Sequence, residues 1–344
     1  MAQIQETPPA LVENGRIHAG FFREPFRSVN LLDADTFGGA LGRPLRWLRL
    51  KEWVGFAFDH PRFYGAMIIQ DAKYAASGTV YLFDRMTGRK WEWLVVGLPG
   101  QVRLPETLWQ GESRCALGAD GLHFAHDLAR GRHTVRVRMR ARGEIPELQA
   151  DFALLQDIRT VAPLVVSLPI GPQHHTYTHK SPLRLQGSLR LGDTVVEFDP
   201  QRDFGNLDEQ KTWYPYRSRW QWGTFVGLSR AGQCVALNVV DQMTPKDRPG
   251  EDALWVEGRL MLMQRPEFTQ EGVFGDYRLA DRAGRIRLRF TAEGAKTEQR
   301  NWGVAALDYA QHFGRYSGDV TDDAGAVHAI DGVPGVVERM AARF

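Results

Sequence analysis

From His133 to Arg142 the sequence alternates strictly: Val135, Val137, Met139 and Ala141 fall on one side, and Arg136, Arg138, Arg140 and Arg142 on the other. Side chains of an extended chain point to opposite faces in turn, so this stretch is a strand with one apolar and one basic face. At about 3.3 Å per residue it is roughly 30 Å long, which suits a barrel or a large antiparallel sheet. Four arginines on one face can bind an anionic ligand. The simpler reading is a solvated sheet face matched by acids on neighbouring strands, a charge ladder that also blunts an edge.

The same period of two recurs along most of the chain. From Leu45, Trp47, Arg49, Lys51 and Trp53 alternate with Arg46, Leu48, Leu50 and Glu52, and β-branched and aromatic runs follow at Arg62 to Gln70, Thr79 to Asp84 and Trp91 to Val96. Later runs lie at Leu183 to Leu191, Thr194 to Phe198, Trp220 to Leu228, Cys234 to Val240, Leu254 to Met263, Gly275 to Leu279 and Arg285 to Phe290. Gly, Pro and Asp punctuate them. Residues 1–40 read as an irregular lead anchored by Phe21, Phe22, Phe26, Leu31 and Leu32 that packs against the first sheet. Pro163, Pro169, Gly171 and Pro172 mark the best boundary, which predicts domains over residues 1–165 and 176–344. Helical signals are few: Val333 to Met340, and Trp302 to Tyr309. The expected fold class is all-β, antiparallel, in two barrel-like units.

A chain of 344 residues buries a core without disulfides or structural metal, and its two cysteines, Cys115 and Cys234, are far apart in sequence. Lys and Arg number 43 against 41 Asp and Glu, so no charge excess points to nucleic acid. The N-terminus lacks the basic and apolar regions of a signal peptide, and no run of eighteen apolar residues predicts a membrane span. A cytoplasmic location is the expectation.

No G-x-G-x-x-G, P-loop, H-E-x-x-H or G-x-S-x-G motif is present. On a strand, His175 and His179 share a face but lie about 13 Å apart, too far to ligate one metal ion, so neither a metal nor a cofactor is expected. The densest cluster of large side chains is Trp213-Tyr214-Pro215-Tyr216-Arg217-Ser218-Arg219-Trp220-Gln221-Trp222. Pro215 opposes a helix. Extended, the segment places Tyr216, Trp220 and Trp222 on one face, against either a thick core or an apolar ligand. Asp203, Asp208, Glu209, Asp241, Glu251 and Asp252 are the nearby acids. A carboxyl facing such a wall is desolvated and serves as a general acid. Asp203, which precedes the aromatic strand, and Asp241, which ends the strand expected beside it, are the two best placed; as turn residues both also have purely structural readings. His179 and Lys180 can anchor a polar head group.

The sequence resembles the bacterial family known as domain of unknown function 2804 over most of its length. The likeness rests on Lys51-Glu52-Trp53, Tyr74-Ala75 and Val80-Tyr81-Leu82, then on Thr178-His179-Lys180, Tyr214-Pro215-Tyr216-Arg217, Trp220-Gln221-Trp222, Leu237-Asn238 and Glu251 to Gly258, and finally on Phe313 to Gly318 with Gly325, Gly332, Gly335 and Glu338. It departs from that pattern at Gln221, where the family has Asn, and at Asp252, again in place of Asn. More distantly it is similar to two-barrel, lipocalin-like carotenoid hydratases and tocopherol cyclases, which protonate C=C bonds without a cofactor. Their His-Gln-Trp-Gly run stands here as Trp220-Gln221-Trp222-Gly223, and Val239-Val240-Asp241 keeps the acid of their Tyr-x-Asp. The resemblance implies two lipocalin-like antiparallel barrels or half-barrels packed together. Three functions stay open. The first is binding of a lipid- or isoprenoid-like molecule by His179, Lys180, Tyr214, Tyr216, Arg217, Trp220, Trp222, Asn238 and Glu251. The second is a cofactor-independent hydratase or cyclase using Asp203 or Asp241, and the third is an interaction scaffold.

Overall fold

The structure, a computed structural model, describes residues 3–36, 42–97, 100–241, 250–272 and 274–343. It is all-β and divides into two compact units, one comprising Ile4–Arg159 with Pro163–Trp213, the other the chain from Tyr214 onward with Thr160–Ala162. The boundary expected at residues 165–176 falls instead within a hairpin of the first unit, where Leu164–Gly171 pairs with His174–Leu191. The prolines there do not break the ladder: Pro169 is paired opposite His175, beside a shift of register.

The main path of the first unit's sheet runs Arg89–Gly97, Ala76–Asp84, Phe63–Asp71, Leu50–Asp59, Phe204–Trp213, His174–Leu191, Leu148–Leu155, Arg132–Met139, Asp120–Asp127 and Gly111–Leu117. Neighbours along it are antiparallel, and the sheet curls into a nearly closed barrel. At the seam Cys115 Sγ donates to the Val95 carbonyl at 3.6 Å. The arginine-bearing strand lies where alternation demands, with Val135, Val137 and Met139 buried and Arg136 paired with Asp151 on the neighbouring strand.

Alternation also orders the barrel interior into layers. On Phe204–Trp213 the inward residues are Leu207, Glu209, Lys211 and Trp213, and on His174–Leu191 they include Leu183, His179 and Tyr177. Leu207 and Leu183 belong to the main apolar cluster, with Phe56, Phe58 and Phe152. Trp213 and Tyr177 belong to a second cluster built with Phe22, Phe26 and Leu31 of the N-terminal lead. Between the two lies a belt of buried polar and charged side chains. Lys211 Nζ donates to Glu52 Oε1 at 2.8 Å, Lys73 bonds Glu52 Oε2, and Lys73 reaches Asp71 Oδ2 at 3.0 Å.

The second unit is a half-barrel. Its strands are ordered Arg259–Leu262, Ala253–Val256, Cys234–Asp241, Arg217–Leu228, Val327–Arg343, Ala306–Thr321, Ile286–Asn301, Asp276–Ala280 and Glu267–Glu271. One face carries an apolar core of Phe225, Leu237, Leu254, Leu279, Leu288, Tyr316 and Val337 among others.

Three local expectations are corrected. Val333–Met340 and the second half of Trp302–Tyr309 are strand, within Val327–Arg343 and Ala306–Thr321. The helix-like spacing of Val333, Val336 and Val337 arises because the strand is buried on both faces from Gly335 to Glu338, so apolar residues need not alternate there. Conversely, Gly42–Arg49 is the one α-helix among the described residues, although a period of two runs into it from the strand beyond. Pro44 fits its first turn, where an amide hydrogen has no helical partner.

Candidate functional site

The aromatic strand Arg217–Leu228 puts its two faces to different uses. Phe225 lies in the core, and a Cβ built on Gly223 would meet Tyr316 Oη at 2.9 Å and Leu279 at 3.2 Å. Trp220, Trp222 and Thr224 therefore project from the opposite face. Trp222 donates its indole hydrogen to Asn238 Oδ1 at 2.7 Å, and Asn238 Nδ2 donates to the Glu251 carbonyl at 2.5 Å. Trp220 stacks on Tyr214, with ring centroids 5.3 Å apart, and donates to Glu338 Oε1 at 2.9 Å. The other Glu338 oxygen accepts from Tyr309 Oη at 3.0 Å and Gln311 Nε2 at 2.8 Å. Both indoles are thus oriented by polar partners, on the face away from the half-barrel's core.

At the end of the same sheet, in step with the core residues Val239 and Leu254 rather than with the indoles, lies a group of acids and one arginine. Asp252 is 1% exposed, and its Oδ1 accepts the backbone N–H of Val240, the residue opposite Trp222 across the sheet. Its Oδ2 is buried and accepts no hydrogen bond from the described residues. Arg265 stands 3.9 Å from that oxygen and 3.7 Å from Asp241. Burial dominates over the Val240 bond and Arg265, and with the like charges of Glu251 and Asp241 it pushes the Asp252 carboxyl up to about 7. Asp252 thus takes up a proton near neutrality, the condition for a general acid.

The remaining candidates are dispersed. Asp203 accepts from the Asp199 N–H at 2.7 Å and from Arg202 Nε at 3.2 Å, closing the turn between two strands of the first unit. Asp241 is partly exposed and ion-paired with Arg265. Tyr216 is 49% exposed and donates to the Val304 carbonyl, and Arg217 is exposed. His179 and Lys180 belong to the first unit and do not form a joint anchor, because successive residues of a strand face opposite ways. His179 points inward to Glu209 Oε2 at 3.2 Å, while Lys180 points outward to Asp208, which also accepts the Trp53 indole hydrogen.

Sequence reasoning named Asp252 as one of six nearby acids and as a departure from the family pattern, but not as the acid, and placed Glu338 in the tail motif without a role. What singles them out is register. Asp252 lies beside the strand end at Val240, and Glu338 pairs directly opposite Trp222, 116 positions earlier.

The architecture is shared with solved structures. CghA, solved with Sch210972, is 10% identical to the chain, covers 100% of it and 98% of its own length, and superposes with a TM-score of 0.57. Kievitone hydratase from Nectria haematococca is 11% identical over 85% of this chain and 88% of its own, with a TM-score of 0.52. At these identities the likeness is one of fold, and it is the expected lipocalin-like one. No curated protein matches in sequence. With its whole length, residues 1–344, matching that family's model, the chain belongs to the family described as Domain of unknown function (DUF2804).

Proposed function

We propose that the chain binds an apolar small molecule beside Asp252, at the end of the half-barrel's core, and protonates it without a cofactor, in the manner of a hydratase or cyclase, with Asp252 as the acid. The observation that carries this reading is the Asp252 carboxyl itself: fully buried, held on one oxygen by Val240, and offering the other to no donor among the described residues. A buried carboxyl of this kind holds its proton near neutral pH and gives it to a basic carbon in a dry setting. Asn238 ties the Trp222 indole to the Glu251 carbonyl, so the backbone leading into Asp252 is held in place. The fold held in common with a hydratase agrees with the assignment.

In the step proposed, the Asp252 O–H bond breaks and its proton forms a C–H bond with an alkene carbon of the ligand. The electron pair comes from the C=C bond, leaving a carbocation that water or an internal nucleophile captures. The proton then lost from that nucleophile restores Asp252. No oxidant or reductant is needed.

The test begins with native mass spectrometry and solvent extraction of the purified protein, to identify the apolar molecule it carries. That molecule is then incubated with wild type and with Asp252→Asn in D2O. The expected result is carbon-bound deuterium with the wild type, and at least about 100-fold slower incorporation in a variant that still binds. Equal incorporation by both proteins, or no bound molecule, overturns the reading.

A further inference from the structure

Six side chains on the inner face of the barrel are strung into one hydrogen-bonded line. Ser113 Oγ lies 2.8 Å from His126 Nε2, and His126 Nδ1 lies 3.0 Å from His133 Nδ1. His133 Nε2 is 2.8 Å from Gln156 Oε1, and Gln156 Nε2 is 2.8 Å from His179 Nε2. His179 Nδ1 ends the line 3.2 Å from Glu209 Oε2. The six come from adjacent strands, or from the residue just past one, so the line crosses the sheet at one level. All are at most 2% exposed.

Hydrogen-bond chemistry gives this line a direction. Burial lowers the affinity of His126 and His133 for a second proton, to a pKa of about 4 for His133, so each carries one N–H. Two imidazoles facing each other through Nδ1 then need one hydrogen between them. With Glu209 ionised, His179 donates from Nδ1, Gln156 donates to His179 Nε2, and His133 donates from Nε2 to Gln156. His126 donates from Nδ1 to His133, and Ser113 donates to His126 Nε2. Every bond receives one hydrogen. With one more proton on the Glu209–His179 pair, the whole line reverses, the amide turns over and His126 and His133 change tautomer. The two states differ by a single proton, held by the Glu209–His179 pair.

Glu209 is 1% exposed, and its second oxygen, Oε1, has no hydrogen-bond donor among the described residues. A buried acceptor left without a donor is costly, which favours a ligand that supplies one. The charged groups nearby on the inner face limit its chemistry. Lys211 sits two residues along the same strand, and it and Lys73 share Glu52, with Asp71 beyond. Tyr177, on the adjoining strand, is held protonated by burial and by Glu209. Two lysines disfavour an ammonium group, and the layers on either side are apolar. We propose that Glu209 Oε1 is a second ligand site, inside the barrel, that accepts the hydroxyl hydrogen of an apolar alcohol, and that the histidine line behind it reports and stabilises the ionised carboxylate.

The test uses the full chain with 15N-labelled histidine, with 1-octanol as probe and octyl methyl ether as the control that cannot donate. Octanol is expected to bind about 10-fold or more tightly than the ether, the range of a hydrogen bond to a charged acceptor. Glu209→Met should abolish that preference, whereas Asp252→Asn should keep it, separating this site from the half-barrel. In octanol-bound wild type, nitrogen shifts should report Nδ1–H on His126 and His179 and Nε2–H on His133. This readout needs no variant to fold. Equal binding of the two probes, binding of neither, or the reversed pattern, Nε2–H on His126 with Nδ1–H on His133, overturns the proposal.

Discussion

Asp252 shows how one residue sets two properties at once. Its carboxyl has a pKa near 3.8 in an unfolded chain and about 7 in the fold, raised chiefly by burial. The folded state therefore binds the proton more tightly. The stability this contributes is full below about 3.8 and is lost as pH rises toward 7. Asparagine cannot ionise and keeps the oxygen that accepts from Val240, so Asp252→Asn should be more stable than wild type at pH 8, by at most roughly 4 kcal/mol. The gain should shrink to nothing near pH 4. Melting curves at pH 4, 6 and 8 check this, and a pH-independent difference would count against a raised carboxyl. The same titration predicts that protonation of the bound molecule slows tenfold per pH unit above about 7, measured as deuterium incorporation.

Among the elements, the strand Val327–Arg343 links the aromatic strand on one side to Ala306–Thr321 on the other. Gly335 is where it approaches its neighbour most closely, since a Cβ there would lie 2.3 Å from the Thr224 carbonyl oxygen and 2.8 Å from Phe225 Cβ. Both of those are held, one by the ladder and one by the core. Gly335→Ala should therefore cost about 1–3 kcal/mol, read in urea melts, and shift the Trp222 environment by fluorescence. An unchanged midpoint would show that the strands separate freely. This strand also shows what a sequence reveals. Alternation in His133–Arg142 or Arg285–Phe290 needs only local information, because one face of each is apolar and the period is two. Val327–Arg343 has both faces covered from Gly335 to Glu338, so its period vanishes there, and the valines read as a helix. The site is less legible still: Trp220 meets Glu338, and Val240 meets Asp252, through strand register, a property of pairing that no single segment contains.

Across the whole molecule, His133 and His175 in the barrel and Asp252 in the half-barrel are shifted in opposite senses. In the barrel, burial holds His133 and His175 at about 4, against 6.5 when unfolded, so they are neutral in the fold and take up protons on unfolding. Stability contributed by a depressed histidine is present above about 6.5 and is lost as pH falls toward 4. In the half-barrel, Asp252 works the other way, gaining stability as pH falls below about 7. Between pH 8 and pH 5 these shifts amount to roughly 4 kcal/mol lost by the barrel and roughly 3 kcal/mol gained by the half-barrel. Glu52, held at about 2 against its burial by Lys211 and Lys73, adds to the loss only below about pH 4.5. Segment-resolved hydrogen exchange, corrected for the intrinsic pH dependence of amide exchange, should show the two responses diverging. Peptides from 120–139 and 174–191 should lose protection at pH 5, while those from 234–241 and 250–262 gain it. Asp252→Asn should remove the gain and leave the loss untouched. Parallel shifts in both sets of peptides would mean that the buried histidines and Asp252 do not govern the pH response of the units that contain them.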